Sequence, residues 1–318
     1  MDNISLAITT IKNKIPTIRF STGERMSGHT TFQIGGPVPA MYYPANAMEM
    51  AELYNILREH GVTPLIIGNG SNILADDGEL DIVVIKTTGL QGIVINPDCT
   101  ADPDEADVTA ESGVSLTKLA GFACGNGLAG LEFAYGIPGT LGGAVLMNAG
   151  AYGGEIKDVI ISTKALEAQK GEFTVTGAGH CFSHRKSIFA SMDCVLLSSV
   201  VRLRKDPPEA IKLRMDDYTE RRRERQPLEL PSAGSIFKRP KDGHAAQLIE
   251  QAGLKGYTAG GAQVSDKHAG FIVNKGGAAF SDVIFLISHI QEKVLKEYGV
   301  ELEPEVRIIK RKAGEQWI

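Results

Sequence analysis

The sequence contains no run of apolar residues long enough to cross a membrane, and its N-terminus has no apolar core behind a basic start. A transmembrane helix needs about 20 consecutive apolar residues, and a secretory signal places its apolar segment after positive charges. The sequence therefore predicts a soluble cytoplasmic protein with no membrane contact.

Positive charge is not in excess, because 33 Lys and Arg residues stand against 38 Asp and Glu residues. The resulting formal net charge of −5 gives no overall field that attracts nucleic acid, so no nucleic-acid partner is expected. A ligand that carries phosphate would have to be held locally, by converging backbone N–H groups and a few Lys or Arg side chains.

Cysteine is scarce, and no two cysteines form a C-x-x-C pair. The four residues are Cys99, Cys124, Cys181 and Cys194. Cys181 lies close to His184 in the sequence, but two possible ligands are a weak signal for a metal site. The pattern predicts reduced thiols in a cytosolic protein and no bound metal.

The chain has 318 residues, 43% of them hydrophobic, which suits two or three modest domains. Strand-like segments precede and separate the helical ones without strict β–α–β alternation, which predicts an α+β protein. The composition changes at residues 205–208, Lys-Asp-Pro-Pro, where we predict a domain junction.

Helical periodicity is clear at residues 46–60, where Asn46 and Glu49 form a capping pattern and Gly61 follows. Other helices are expected near residues 116–123, 209–225, 245–252 and 283–294. Strands are expected near residues 64–67, 82–85, 92–95, 159–166, 173–175, 195–203 and 271–273. The segment 231–240, rich in Pro, Gly and Ser, predicts a loop, and the alternating tail 303–309 predicts a last strand.

Glycine is abundant, at 36 residues, and it is concentrated in blocks. Such blocks indicate a backbone that approaches a ligand closely or adopts positive φ. The first block follows an apolar strand, and its N–H groups and polar side chains can cradle a diphosphate. It consists of Gly68, Asn69, Gly70, Ser71 and Asn72.

The second block runs from Gly136 to Gly154, and a third contains Gly35 and Gly36. In the second block, glycines let the backbone approach a large flat ligand, and two polar side chains can bond to it. These residues are Gly136, Gly139, Gly142 and Gly143, with Thr140 and Asn148 as the hydrogen-bonding side chains.

Neither of the common nucleotide fingerprints is present: there is no G-x-G-x-x-G between a strand and a helix, and no G-x-x-x-x-G-K-[ST]. A single glycine turn is more often a tight turn and nothing more. Three such blocks in the first half of one chain favour a nucleotide cofactor.

In this order the motifs resemble the UDP-N-acetylenolpyruvoylglucosamine reductase family, from about Thr31 to Arg307. The matching segments are residues 31–36, 64–72, 130–139, 148–153, 231–238, 260–265 and 302–306. The resemblance implies an FAD-binding fold of the vanillyl-alcohol-oxidase (PCMH) type, with two α+β subdomains and a C-terminal α+β substrate domain. We expect these domains at residues 1–85, 86–205 and 206–300, with residues 301–318 packing back near the first.

The resemblance also implies the reaction. FAD would take hydride from NADPH and pass it to the enolpyruvyl group of a UDP-sugar, which makes UDP-N-acetylmuramate for peptidoglycan. We expect the FAD to be bound without a covalent link, because the glycine blocks offer backbone donors for its diphosphate and no histidyl-link motif is present. No insertion interrupts residues 201–220, so the chain is similar to the shorter type of the family, which lacks a Tyr-bearing loop. A monomer or weak dimer is expected.

Three residues match the catalytic positions of the family. By that resemblance Ser235 donates the proton, Glu305 stabilises the developing enol, and Arg185 pairs with the substrate carboxylate through its planar fork. The family commonly has Tyr before this arginine, where the chain has His184. Further matches, with the substrate as their expected ligand, are Lys238, Gln263 and Lys255. We also expect the last strand to return Glu305 to Ser235.

Two other functions stay open from the residues. The first is an FAD-dependent alcohol or sugar oxidase of the same fold, many of which link FAD to a histidine in an R-G-G-H context that is absent here. The second is a non-catalytic nucleotide-binding sensor, which would make the Ser235, Glu305 and Arg185 set accidental.

Overall fold

The computed structural model describes residues 2–96, 102–241 and 243–311. The mixture of helices and strands in them confirms the predicted α+β class. The α-helices are α1 (Asn3–Lys14), α2 (Ala47–Glu59), α3 (Leu116–Gly125), α4 (Leu141–Met147), α5 (Pro208–Arg225), α6 (Ala245–Gln251) and α7 (Phe280–Tyr298).

The strands are short except in the middle of the chain. They are β1 (Arg19–Ser21), β2 (Glu24–Arg25), β3 (Pro37–Val38), β4 (Ala40–Tyr43), β5 (Leu65–Ile67), β6 (Ile73–Ala75), β7 (Val83–Lys86), β8 (Ile93–Asn96), β9 (Glu105–Glu111), β10 (Leu128–Ala129), β11 (Gly150–Ala151), β12 (Gly154–Glu155), β13 (Ile160–Glu167), β14 (Gly171–Thr176), β15 (Cys194–Lys205), β16 (Ser232–Ser235), β17 (Thr258–Ala259), β18 (Ala262–Val264), β19 (Phe271–Asn274) and β20 (Arg307–Ile309).

The chain divides into two compact units. The first is built from Met1–Ser21, Ala40–Asn69 and Val83–Arg221, and the second from Thr22–Pro39, Gly70–Ile82 and Arg222–Ile318. The three domains expected from the sequence, at residues 1–85, 86–205 and 206–300, stay a prediction. At the predicted junction, β15 ends and α5 begins within three residues, so no inserted loop separates residues 201 and 220.

The first unit contains two larger sheets and the two-stranded β11–β12 hairpin. The smaller has the order β1-β4-β7-β5, with β4 and β5 both parallel to β7, and shares a core with α1 and α2. The larger has the order β14-β13-β15-β9-β8, and its neighbours along that order are antiparallel. Its own core includes buried residues of α3 and α4, which places the second glycine block against this sheet.

Local capping explains the helices of the smaller sheet. The Asn46 side chain accepts the N–H of Glu49 at 2.9 Å, and Gly61 adopts a φ of +71° just after α2, as its sequence pattern predicts. Helix α1 has no counterpart in the sequence predictions, although Ile4, Ala7, Ile8 and Ile11 have helical spacing and pack in the core. It begins where Asp2 accepts the N–H of Ser5, and it buries Ala7 and Ile11.

A buried carboxylate ties α5 to the larger sheet's core. Glu132 is only 8% exposed, and its two oxygens accept N–H groups from Arg214 at 2.7 and 2.9 Å and from the backbone of Gly130 at 2.7 Å. Asp206 accepts a further bond from Arg214 at 2.5 Å. Both carboxylate oxygens of Glu132 therefore have donors, which is the condition under which a buried charge is tolerated.

The second unit contains the antiparallel sheet β16-β19-β18-β17, packed with α6 and α7. Helix α7 buries Val283, Ile287, Ile290 and Val294, the apolar stripe that predicts it. In the same unit β20 pairs in parallel with β6, with Ile308 opposite Leu74. The predicted last strand is therefore confirmed, although its regular part begins only at Arg307.

Residues 232–235 form strand β16, whereas the sequence predicts a loop there. Ser232 lies opposite Val273 and Ser235 lies opposite Phe271, so β16 has one residue more than its partner between these pairs. Gly234 has a φ of +76°, which suits a β-bulge. The glycine and serine content that predicts a loop is in fact the composition of a bulged edge strand.

Among the described residues, no helix combines the length and the apolar character that a bilayer span requires.

The Glu132 arrangement predicts a specific loss of stability. We expect Glu132→Gln to lower the free energy of unfolding by about 1–3 kcal/mol, because the substitution removes the buried carboxylate that accepts two N–H groups of Arg214 and leaves the guanidinium only Asp206. Urea unfolding of both proteins measures this. Asp216→Asn is the control, since the Lys212–Asp216 pair is exposed and should contribute under about 0.5 kcal/mol. Equal losses in the two variants would contradict the role of Glu132.

Candidate active site

The first glycine block leaves β5 at Gly68, in the first unit. A Cβ on Gly68 would overlap Oγ1 of Thr140, so only glycine lets these two segments approach. The next residue, Asn69, donates its amide N–H to the carbonyl of Pro138 at 2.9 Å. Gly68 and Asn69 therefore lie directly against the second glycine block, as a shared cofactor site requires.

Two buried hydroxyls in this region have unused hydrogen-bonding capacity. Ser112 and Thr140 are each only 2% exposed, and neither oxygen has a partner among the described residues. A buried hydroxyl without a partner costs roughly 1–3 kcal/mol, which a bound polar ligand would remove. Gly142 packs so closely on Ser112 that a Cβ would lie 2.9 Å from the serine Cβ. These features fit an FAD group held by the first unit.

Helix α4 presents a glycine to the same region. Gly143 is exposed, and the nearest atom to an added Cβ is Oγ1 of Thr140 at 3.7 Å. Earlier in the block, Gly136 adopts a φ of +82°. Gly139, directly before Thr140, has no side chain. The glycines predicted to bind the cofactor thus leave bare backbone here, and their contacts with FAD stay a prediction.

The remainder of the first glycine block, Gly70 to Asn72, belongs to the second unit. Gly70 has a φ of +64° and packs against the carbonyl of His29, which leaves no room for a side chain. Its own carbonyl accepts the N–H of Thr31 at 3.3 Å. Asn72 donates its side-chain amide to the carbonyl of Glu305 at 3.1 Å. Ser71 is half-buried between them, and its predicted cofactor contact stays a prediction.

Asn148 caps α4 with a left-handed φ of +43° and is completely buried. Its amide donates to Glu155 and to the carbonyl of Ser183, both at 3.1 Å, and its oxygen accepts the N–H of Lys157 at 3.0 Å. The side chain is therefore engaged within the protein, where it fixes two neighbouring segments. The cofactor contact predicted for Asn148 stays a prediction.

Arg185 lies in a tight turn of the first unit that Asn148 anchors. Ser183 and Lys186 exchange backbone hydrogen bonds across the turn, and Ser183 accepts the Asn148 amide. Arg185 itself adopts a φ of +54°, which costs a non-glycine residue roughly 1 kcal/mol or more. Such strain persists only where the surroundings fix it, and it is common at functional sites.

A carboxylate lies near the Arg185 guanidinium. This carboxylate is Glu155, and its pKa lies below the ordinary value despite partial burial. The largest cause is the hydrogen bond with Lys157, and the Asn148 amide and the charge of Arg185 add to it. The Arg185 guanidinium also donates to the carbonyl of Gly150 at 3.4 Å. These neighbours keep Glu155 ionised. The bond to Gly150 directs the Arg185 side chain toward the β11–β12 hairpin.

In the second unit, backbone pairing joins the segment that follows Ser235 to the segment that carries Glu305. The N–H of Glu305 donates to the carbonyl of Ile236 at 2.7 Å, and Phe237 pairs with Pro304 in an isolated bridge. The N–H of Lys238 donates to the carbonyl of Glu303 at 2.9 Å. Glu305 is therefore adjacent to the residue that follows Ser235, as the sequence predicts. The Ser235 hydroxyl donates to the carbonyl of Phe237 at 3.2 Å.

The residues predicted to bind the substrate also lie in the second unit. Lys238 forms an ion pair with Glu303, next to the backbone pairing of Ile236 with Glu305. Lys255 forms an ion pair with Glu250 at 2.8 Å. Gln263 donates to the carbonyl of Gly256 at 3.1 Å. Each of these polar groups is held in place by a neighbour, and their contacts with a substrate stay predictions.

Sequence reasoning missed Ser112, Glu155 and the structural use of Asn72. No motif marks Ser112, because its importance comes from the approach of Gly142 across the fold. Glu155 follows the second glycine block directly, so a carboxylate beside an Asn-Ala-Gly motif was a usable signal. The partner of Asn72 lies 233 positions away, beyond the reach of local pattern.

Gly143 offers a steric test of the cofactor surface. We expect Gly143→Ala to fold normally, because outside the backbone of its own helix the nearest atom to the new methyl group is Oγ1 of Thr140 at 3.7 Å, yet to weaken FAD binding at least roughly tenfold if the cofactor covers this backbone. Gly121→Ala, in α3 and with open space around its Cβ, is the control. Flavin fluorescence titration of the apoprotein gives both affinities. Unchanged affinity in Gly143→Ala would remove Gly143 from the cofactor surface.

The comparisons with known proteins agree with this geometry. A model of the FAD binding domain matches residues 38–177, and a model of the UDP-N-acetylenolpyruvoylglucosamine reductase C-terminal domain matches residues 226–309. The solved structure of UDP-N-acetylenolpyruvylglucosamine reductase from Thermus caldophilus has a TM-score of 0.75 at 30% identity, and covers 92% of this chain and 98% of that one. The predicted FAD-binding α+β fold is thereby confirmed.

Curated relatives match over nearly their whole length. UDP-N-acetylenolpyruvoylglucosamine reductase of Agathobacter rectalis is 45% identical over 308 residues, which is 95% of this chain and 98% of the relative. The enzyme of that name from Caldanaerobacter subterraneus subsp. tengcongensis is 42% identical over 289 residues, which is 91% of this chain and 93% of the relative. The chain therefore belongs to the UDP-N-acetylenolpyruvoylglucosamine reductase family.

Proposed function

We propose that this chain is an FAD-dependent oxidoreductase that reduces the enolpyruvyl ether of UDP-N-acetylglucosamine to UDP-N-acetylmuramate. NADPH is the proposed electron donor, and the product would serve peptidoglycan synthesis in the cytoplasm. The observation that carries the proposal is the backbone pairing of Glu305 with Ile236, the residue after Ser235, because it supports a hydroxyl and a carboxylate acting in the same predicted substrate-binding part of the chain.

The reaction sets the demands on the site. An enol ether accepts hydride poorly unless negative charge can spread onto its carboxylate, so a cation or an acid must lie near that group. The other vinyl carbon must receive a proton as the hydride arrives. FAD, when bound, supplies the hydride transfer, and the protein supplies geometry, charge and the proton.

Ser235 is the proposed proton donor. A serine hydroxyl is a weak acid, but the enolate it would protonate is strongly basic, so transfer is feasible once the hydroxyl is well oriented. The bulge in β16 fixes the backbone at Ser235, and the hydrogen bond to the carbonyl of Phe237 limits the rotation of the hydroxyl. Proton transfer would require this bond to be exchanged for one to the substrate carbon.

Glu305 and Arg185 are proposed to act on the carboxylate end. Glu305 would stabilise the developing enol, and the Arg185 guanidinium would hold the substrate carboxylate through two parallel hydrogen bonds. The rigid turn around Arg185 supports this role, because a guanidinium on a fixed backbone loses less entropy on binding. Lys238, Lys255 and Gln263 are the proposed contacts for the UDP-sugar.

The reductase family membership disfavours the oxidase that the sequence leaves open. In the oxidases with covalent flavin, a histidine follows an R-G-G motif, and this chain has none. The buried hydroxyls of Ser112 and Thr140 suit a cofactor held by hydrogen bonds. We also propose that the protein is a monomer or a weak dimer in solution.

Acid treatment distinguishes the two modes of FAD attachment. We expect trichloroacetic acid to release all flavin into the supernatant, because hydrogen bonds and packing hold it and both are lost on unfolding. Absorbance at flavin wavelengths in supernatant and pellet gives the ratio. Yellow colour retained in the precipitated chain would indicate a covalent link and would revive the oxidase.

Ser235→Ala separates the two half-reactions. Reduction of the flavin by NADPH needs no proton donor at the sugar and should stay near the wild-type rate. Reoxidation by the enolpyruvyl substrate should slow by about 10²–10⁴-fold, as expected for a lost general acid, with little change in substrate affinity. Anaerobic stopped-flow absorbance of the flavin follows each half-reaction separately.

Ser232→Ala provides the matched control, because it removes the same atom from the same strand. We expect both half-reactions to stay near wild type in this variant. Equal slowing of both half-reactions in Ser235→Ala would make the serine structural. If neither half-reaction slows, the proton comes from elsewhere, and Glu305 is the first residue to test.

A further inference from the structure

The side-chain amide of Asn72 reaches across the second unit to the backbone of a residue far along the chain. Its N–H donates to the carbonyl of Glu305 at 3.1 Å. The carbonyl of Asn72 accepts the N–H of Arg307 at 3.0 Å. Asn72 therefore contacts both sides of the peptide segment that carries Glu305, once through its side chain and once through its backbone.

The regular pairing between β6 and β20 begins only at Ile73 and Arg307. The Asn72 amide extends that ladder to Glu305, where β6 offers no further backbone pairing. On its other side, the N–H of Glu305 donates to the carbonyl of Ile236 at 2.7 Å. The two polar backbone groups of Glu305 are thus fixed by two different segments, and only one of these bonds depends on a side chain.

We infer that Asn72 is a positioning residue that sets the location of the Glu305 carboxylate. The inference rests on the proposed function for its catalytic consequence, since Glu305 acts there on the developing enol. Catalytic groups lose rate steeply with small displacements, and a shift of 1 Å can cost on the order of 10²-fold. An amide can donate to this carbonyl, whereas a carboxylate of the same shape would repel it.

The sequence suggests another role for Asn72, as a donor to the cofactor diphosphate. The two roles predict different behaviour. A cofactor contact would lower FAD affinity when it is removed, whatever residue stands at position 305. A positioning role would leave FAD affinity unchanged and would act only through Glu305.

Hydrogen–deuterium exchange tests the structural part on the FAD-loaded protein, without any turnover. We expect Asn72→Ala and Asn72→Asp to increase deuterium uptake in residues 303–307 while the remaining peptides stay protected. The Asp variant keeps the side-chain shape, so it provides the result even if the Ala variant folds poorly. Unchanged uptake in residues 303–307 in both variants overturns the inference.

The half-reactions test the catalytic part. We expect Asn72→Ala to slow flavin reoxidation at saturating enolpyruvyl substrate by about 10–10²-fold, with flavin reduction by NADPH and FAD affinity close to wild type. In a Glu305→Ala background the same substitution should have almost no further effect, because the carboxylate it positions is gone. Full additivity of the two substitutions, or a loss of FAD affinity in Asn72→Ala, overturns the inference.

Gln291→Ala is the matched control, since the Gln291 amide donates to the carbonyl of Leu302 at 2.8 Å, in the same stretch of chain. Gln291→Ala should leave the reoxidation rate within about threefold of wild type, because it loosens the segment at Leu302 and not at Glu305. An equal slowing in both variants would mean general loosening and would also overturn the specific role of Asn72. If wild-type protein fails to reduce the enolpyruvyl sugar at all, the proposed function fails, and the exchange measurement still decides whether Asn72 holds the segment.

Discussion

The hydrogen bond from the N–H of Glu305 to the carbonyl of Ile236 is the constraint on which the chemistry proposed for the second unit depends. It joins two segments that lie about seventy positions apart and brings the backbone of Glu305 beside the residue that follows Ser235, the proposed proton donor. The neighbouring bonds of Lys238 with Glu303 fix the register of the two segments. A backbone hydrogen bond of this kind fixes positions more firmly than a side-chain contact, because no side-chain rotamer has to be restricted to form it.

Much of the fold could be predicted from local pattern. Helix α2 follows from the cap at Asn46 and the glycine at its end, and α7 follows from its apolar stripe. The FAD-binding fold follows from the family resemblance that the motifs carry, and the expected return of Glu305 toward Ser235 follows from the need for both to reach one substrate. The strand β16 escaped prediction because its serines and Gly234 serve a bulge, and bulge and loop share one composition.

The side-chain roles within the site could not be predicted, because they depend on partners far away in sequence. Asn72 and Asn148 both look like donors to a ligand, yet the amide of the first contacts Glu305 and that of the second contacts Glu155 and Ser183. Asparagine suits both tasks, since its amide can donate to a ligand or to a carbonyl. Only the assembled backbone decides which of these a given amide reaches.

A double-mutant cycle between Ser235 and Glu305 tests most directly the claim that the backbone pairing lets these two residues act together in catalysis. The rate of flavin reoxidation by the enolpyruvyl substrate would be measured for Ser235→Ala, Glu305→Gln, the double variant and the wild type. If both groups act on the same developing charge, the double variant should be little slower than the slower single variant, as for residues that work together. Losses that multiply in full would contradict the account, because they would show that the two residues act independently.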